Sequence, residues 1–468
     1  MPMTMSEKIL ARRAGKAAVA AGENVWVNVD VLMTHDVCGP GTIGVFKEQF
    51  GEKAKVWDPS RVVIIPDHYI FTADPHAHRN IQTLRDFVRE QNIKYYYDPD
   101  FVQGENQGMP SPYQDPTKTR YKGVCHKTLP EEGHLRPGEI LIGTDSHTCT
   151  AGAFGQFATG VGNSDAGFVL GTGKIWLKVP ATMKFVFHGK IPPYLTAKDL
   201  ILAVIGKVSA SGATYKAMYF AGDGVASLTL EDRMTLTNMA IEAGGKNGIC
   251  DVDEKTLAYV RSRSNRPEWE VFKDDPGCVY DGVHEWDLSK LEPLVAKPHS
   301  PDNMDTARKC REIKVDQAYL GSCTGGKITD MIFAANIING HRVKVPTFVV
   351  PGSTEVHADM LKLNLRGAPK ASGEKSVWET LADAGCTMGP ASCAACLGGP
   401  KDTFGRLNSP ITCISTTNRN FPGRMGDMKA GVYLASPLTV AASALTGRIT
   451  DPRDYINGPI ATGNAGTV

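Results

Sequence analysis

The sequence lacks any run of about 18 apolar residues, so no membrane-spanning helix is expected. It also lacks a block of like charge. Its 51 Lys and Arg stand against 50 Asp and Glu, a formal net charge of +1 that argues against nucleic acid or an anionic membrane as main partner. No repeat recurs at 20–50 residues and no tract is of low complexity, so a solenoid is not expected. The opening stretch MPMTMSEKILARRAG has no apolar signal core and is too short for a transit peptide, although a matured organellar chain would look the same. Its 11 cysteines are odd in number and widely scattered. Without a signal, they read as mostly free thiols in a reducing compartment.

What is present is a chain of 468 residues, long enough for about three domains. Short apolar runs rich in β-branched residues recur at 61–69, 138–148, 314–326, 344–353 and 409–423, each ending in a glycine-rich or polar loop. Helix-like stretches lie between such runs, at 79–91, 230–245 and 328–340. This alternation predicts an α/β fold with layered, mainly parallel sheets. Three prolines in LEPLVAKPHSPDN make residues 293–303 the expected linker, and a second boundary falls near VFHGKIPPYL. The expected division is 1–188, 189–292 and 304–468.

Two glycine-rich stretches resemble nucleotide-binding motifs. GPGTIG (39–44) fits G-x-G-x-x-G, but a polar stretch precedes it and Pro40 sits inside it, so a tight loop is expected. GSCTGGKI (321–328) nearly matches the P-loop, yet Ile328 replaces the hydroxyl that binds magnesium. Its distinguishing residue is Cys323, placed where a helix N-terminus favours a thiolate.

Cys393 and Cys396 form a C-x-x-C pair in GPASCAACLGGP. Such a pair can be a redox disulfide, part of a zinc site, ligands to an iron–sulfur cluster, or plain core, and spacing alone leaves these level. Three thiolates meeting at one sheet edge would leave one iron of a cluster open to act as a Lewis acid. Polar candidates cluster at strand ends. They are Asp67 and His68 in IPDHY, His126 in GVCHKTL, and Asp145, Ser146 and His147 in GTDSHT. A carboxylate-held imidazole can protonate a leaving hydroxide. Arg419 and Arg424, on one Gly/Pro loop, suit bidentate carboxylate binding. Asn238 and Glu242 stand four apart on an expected helix face.

Together GTDSHT, GSCT, the late C-x-x-C-x-G and NRNFPGR make the chain similar to the aconitase superfamily, over essentially its whole length and in family order. MTHDVCGPG, GSCTGGK, CLGGPKDT and STTNRNFPGRMG resemble the plant and algal form of its isopropylmalate-isomerising branch. The resemblance implies a three-domain hydro-lyase core that binds a [4Fe–4S] cluster through Cys323, Cys393 and Cys396. It implies catalytic roles for Asp67, His68, His126, Asp145, His147 and Glu242, and substrate contacts from Ser146, Asn238, Asn418, Arg419 and Arg424. Near His126 the spacing to Asp145 is one residue longer than in aconitase. Aconitase's N-terminal substrate glutamine has no obvious match, and His35 or Asp36 stands in its region.

The implied reaction is isomerisation of 2-isopropylmalate to 3-isopropylmalate through 2-isopropylmaleate, in leucine biosynthesis. The alternatives are a homoaconitase or a methylthioalkylmalate isomerase, or an RNA-binding regulator. No counterpart of the family's C-terminal swivel domain is expected after YLASPLTVAASALTGRITDP, so the resemblance implies a separate small subunit as partner, completing a heterodimer around a small dicarboxylate. The expected location is the plastid stroma for a eukaryotic source and the cytoplasm otherwise.

Overall fold

In the computed structural model, which describes residues 1–100, 119–264 and 266–456, the apolar runs become short strands. β1 (Asn24–Asn28) precedes the first sheet. β2 (Val31–Thr34), β3 (Val62–Ile64), β4 (Tyr95–Tyr96), β5 (Ile140–Gly143) and β6 (Phe157–Gly160) form that sheet, all parallel, in the order β4-β3-β2-β5-β6. β7 (Lys174–Lys178) returns antiparallel to β1. A second parallel sheet takes β8 (Thr182–His188), β9 (Ala217–Ala221), β10 (Asn247–Cys250) and β11 (Val283–Asp287) in the order β10-β9-β8-β11.

The third sheet holds β12 (Leu294–Ala296), β13 (Met304–Thr306), β14 (Gln317–Leu320), β15 (Thr347–Val349), β16 (Thr387–Met388), β17 (Thr412–Ser415) and β18 (Gly431–Ala435). Its order is β13-β12-β18-β17-β14-β15-β16, parallel except where β12 meets β13 and β18. β2, β3, β5, β9, β10 and β14 are buried at every residue, Asn247 and Gln317 included, as strands covered on both faces are. The mainly parallel α/β layering is the expected class. No described helix is long and apolar enough to cross a membrane.

One core joins the second and third sheets. Phe185 and Phe187 of β8 and the helix Ala197–Val208 pack in a single cluster with Leu407, Cys413 and Leu434. The first and third sheets are stitched by backbone: Val124 N–H donates to Gly352 O at 2.8 Å and Cys393 N–H to Asp67 O at 3.0 Å. This stitching turns the carboxyl ends of β2, β3 and β5 towards those of β14, β16 and β17, where open parallel sheets place ligands.

Three local expectations change. GPGTIG is not a loop but the start of the helix Gly39–Phe50, with Pro40 in its first turn, where a missing N–H costs nothing. Its glycines serve packing, because a Cβ on Gly39 would lie 2.6 Å from Leu84 Cδ2. The stretch 293–303 is not a free linker, since it contains β12, whose three residues are buried between β13 and β18. The stretch 230–245 is not one helix. An α-helix ends at Asn238 and a 3₁₀ segment, Met239–Ala243, continues to Gly244, which takes the left-handed conformation at φ 84°.

Candidate active site

The polar wall starts from Asp36, in the loop after β2. Its carboxylate accepts the backbone N–H groups of Asp67, His68 and Tyr69 at 2.9, 3.0 and 2.7 Å, which fixes the loop after β3. Asp67 Oδ1 lies 2.6 Å from His68 Nδ1, and its Oδ2 accepts the N–H of Cys125 at 2.7 Å. Burial alone would strip the His68 ring of its proton. The carboxylates of Asp67, Asp36 and Asp145 outweigh burial and raise its pKa to about 9. Burial likewise opposes charge on Asp67, yet His68, His35 and the Cys125 amide hold it below its ordinary value.

Asp145 is the hub. It caps the 3₁₀ helix Ser146–Phe154, accepting the His147 N–H at 2.7 Å, and its Oδ1 lies 2.9 Å from His126 Nε2. Its Oδ2 lies 3.8 Å from His68 Nε2. Against burial, His126 and His147 hold the Asp145 carboxyl well below the usual range. The chain of charges continues from His147 Nε2 to Glu242 Oε1 at 2.9 Å, and Arg419 Nε donates to the same oxygen at 2.6 Å. Burial disfavours the His147 imidazolium, but Glu242 raises its pKa overall. Ser146 Oγ stands 3.4 Å from His147 Nδ1.

Facing this wall are three thiols. Cys323 comes from the loop after β14, and Cys393 and Cys396 from the short helical turn after β16; with Val124 they form one buried cluster. Among the described residues no fourth cysteine joins it, since Cys125 packs with Val31, Met33 and Leu129 instead. Two amides reach the Cys323 sulfur: Asn238 Nδ2 donates at 3.1 Å and Asn418 Nδ2 at 3.5 Å. Ser322 Oγ donates to Cys396 Sγ at 3.6 Å. Burial first, and then Cys396 and Asp145, push the Cys323 thiol up to about 12. The neighbouring thiols act on each other first: Cys396 holds Cys393 above its ordinary value, and Cys393, with Arg424 assisting, holds Cys396 below.

Every residue expected at the site is therefore brought to one place. Asn238 and Glu242 arrive there across the break between α and 3₁₀ segments rather than on one continuous helix. Arg424 stands nearby, its Nε buried and without a hydrogen-bond partner. His126 Nδ1, Glu242 Oε2 and His35 Nε2 are likewise buried without partners. His35 lies against His68 at a tilt of 30°, with centroids 4.4 Å apart, and its Nε2 is 4.0 Å from Asp145 Oδ2. Sequence reasoning missed Ser322 and Lys198. The available signal for Lys198 was a lysine inside the apolar helix segment AKDLILAVIGKV.

The model of a family described as "Aconitase family (aconitate hydratase)" matches residues 7–308 and 303–447. The chloroplastic 3-isopropylmalate dehydratase large subunit of Arabidopsis thaliana is 57% identical over 457 residues, covering 97% of this chain and 87% of that one. A probable 3-isopropylmalate dehydratase large subunit of Methanothermobacter thermautotrophicus is 44% identical, covering 97% of this chain and 99% of its own length. The 3-isopropylmalate dehydratase large subunit of Aquifex aeolicus is 40% identical, covering 99% of this chain and all of that one.

Proposed function

Because the chain belongs to the aconitase family, we propose that it is the large, catalytic subunit of a 3-isopropylmalate dehydratase. In that role it dehydrates 2-isopropylmalate to 2-isopropylmaleate and rehydrates it to 3-isopropylmalate, a step of leucine biosynthesis. The observation that carries the reading is likeness over nearly the full length to three relatives that bear this name, at 40–57% identity. The chloroplastic relative supports a plastid setting, and the cytoplasm is the setting for a bacterial or archaeal source.

The residues present fit a [4Fe–4S] group held by Cys323, Cys393 and Cys396. Three buried thiols form one cluster, amide N–H donors are aimed at sulfur, and Arg424 Nε, His126 Nδ1 and Glu242 Oε2 are buried without partners. When bound, such a group supplies a Lewis acid with one iron free of thiolate. The protein supplies the rest. With Nδ1 engaged by Asp67, His68 keeps its proton at Nε2 and gives it to the departing hydroxyl as general acid. The alternating set His126, Asp145, His147, Glu242 and Arg419 fixes each ring and fork against rotation. Arg419, held by its Nε, offers its terminal nitrogens to a substrate carboxylate, and Arg424 binds the second.

The base for the carbon proton is assigned to a small subunit, a partner supported by the words "large subunit" in the relatives' names. The test is to titrate a purified small subunit into the anaerobically loaded chain and follow isopropylmaleate absorbance. Turnover should rise with added subunit and saturate. Full activity from this chain alone would overturn the two-chain reading, and activity confined to homoisocitrate would move the substrate.

A further inference from the structure

Lys198 is a charge in a costly place. It sits in the first turn of the helix Ala197–Val208, whose dipole repels a cation, and it is 1% exposed. A second buried lysine, Lys327, adds to the cost, although it is neutralised by Asp330 at 2.6 Å and donates to Thr235 Oγ1 at 2.8 Å. Burial, with Lys327, outweighs the pull of Cys323, Asp330 and Glu242 and lowers the Lys198 pKa to about 7. Asp330 and Glu242 already have partners in Lys327, His147 and Arg419. Of the groups that favour the ammonium, Cys323 acts most strongly.

The hydrogen bonds show which form fits. Lys198 Nζ donates to Thr324 Oγ1 at 3.0 Å, Thr416 O at 2.8 Å and Thr417 O at 2.7 Å. Both carbonyls can only accept. Thr324 Oγ1 spends its own hydrogen on Thr416 O at 2.8 Å, so towards lysine it accepts too. Three acceptors require three hydrogens on nitrogen, which the ammonium has and the neutral amine lacks.

We propose that Lys198 is a positioning residue for the group held by the cysteines. Its ammonium ties the loop that carries Cys323 to the loop that carries Asn418 and Arg419, and it sets a fixed positive charge behind the thiolates. The inference rests on the three-thiolate reading above. Its first effect is mechanical: one cation crosslinks a cysteine ligand's loop to a substrate-binding loop, which leave the carboxyl ends of the paired parallel strands β14 and β17. Its second is electrostatic, since nearby charge and hydrogen bonds tune the potential of an iron–sulfur group.

The test uses Lys198→Met, which keeps the length without donors, and Lys198→Gln, which keeps two donors without charge. Each chain is loaded anaerobically beside the parent. Iron and sulfide are counted, and the midpoint potential is read by a titration followed by electron paramagnetic resonance. Both variants should shift to a more negative potential, because an added electron loses a nearby cation. Lys198→Met should also release iron to a chelator faster than Lys198→Gln. If Lys198→Met does not fold, the potential of Lys198→Gln decides alone. A potential equal to the parent's in Lys198→Gln overturns the proposal and leaves the cluster reading standing. A parent chain that takes up no iron and sulfide overturns the cluster reading itself, and the proposal with it.

Discussion

At His68 two large effects oppose each other, and the winner sets the chemistry. Burial favours the neutral ring, but three carboxylates around it favour the imidazolium and raise its pKa to about 9. The ring is therefore loaded with a proton at neutral pH, as an acid for a leaving hydroxyl must be. His68→Ala should keep its iron and lose roughly 10²–10⁴-fold in turnover. Asp67→Asn should also slow turnover, by freeing the ring. Because the acid form is the active one, the parent's dehydration rate should fall as pH rises through about 9, and a pH–rate profile checks this. Arg419→Lys keeps a charge but loses the planar fork, so it should weaken use of every dicarboxylate tested while iron content stays level. Wild-type kinetics in that variant would make Arg419 a structural residue only.

At the scale of the element, the 3₁₀ helix Ser146–Phe154 shows why a motif needs its packing. A Cβ on Gly152 would lie 1.6 Å from Gly248 O in β10, a backbone atom that cannot yield. That contact presses the segment against the second sheet, next to the α and 3₁₀ segments that deliver Asn238 and Glu242. Thr237 Oγ1 donates to Thr150 O at 2.9 Å, and Asn238 Nδ2 to Thr150 Oγ1 at 2.7 Å, across the same seam. Gly152→Ala should cost more than about 3 kcal/mol, the upper end for overpacking, read as a lowered midpoint in chemical denaturation. The same seam accounts for the misjudged helix at 230–245. Its periodicity is helical throughout, but the tighter 3₁₀ turn after Asn238 lies where Gly248 and Ala240 come together, with a Cβ on Gly248 only 2.9 Å from Ala240 Cβ. No local residue announces that.

For the whole molecule, pH dependence of stability has a marked contributor away from the chemistry. His134 lies buried with its Nε2 2.6 Å from the Tyr97 hydroxyl, and burial, then Arg136, lowers its pKa to about 3. The folded chain keeps this ring neutral, whereas the unfolded chain protonates it below about 6.5. Its contribution is constant above 6.5 and is lost as pH falls from there towards 3. The loss should reach a few kcal/mol. His134→Gln should flatten the dependence of unfolding free energy on pH between 6.5 and 4, and an unchanged slope would remove His134 from the account.

The sequence by itself determined the class of the fold and offered candidates for the site, though not Ser322 or Lys198. Parallel strands buried on both faces must be apolar throughout, and ligand-bearing residues must sit in the polar loops that end them, so both facts are written locally in RVVIIPDHY, GEILIGTDSHT and KVDQAYLGSCTGG. Tertiary structure alone decided which of those residues meet. Cys323 reaches Asn238 across 85 positions and Arg419 reaches Glu242 across 177, distances over which local propensity carries no information. It also decided the charge on Lys198. In the sequence that residue is one lysine among apolar neighbours. Three acceptors from two distant loops make it an ammonium, because a buried amine must match hydrogens to lone pairs wherever the fold supplies them.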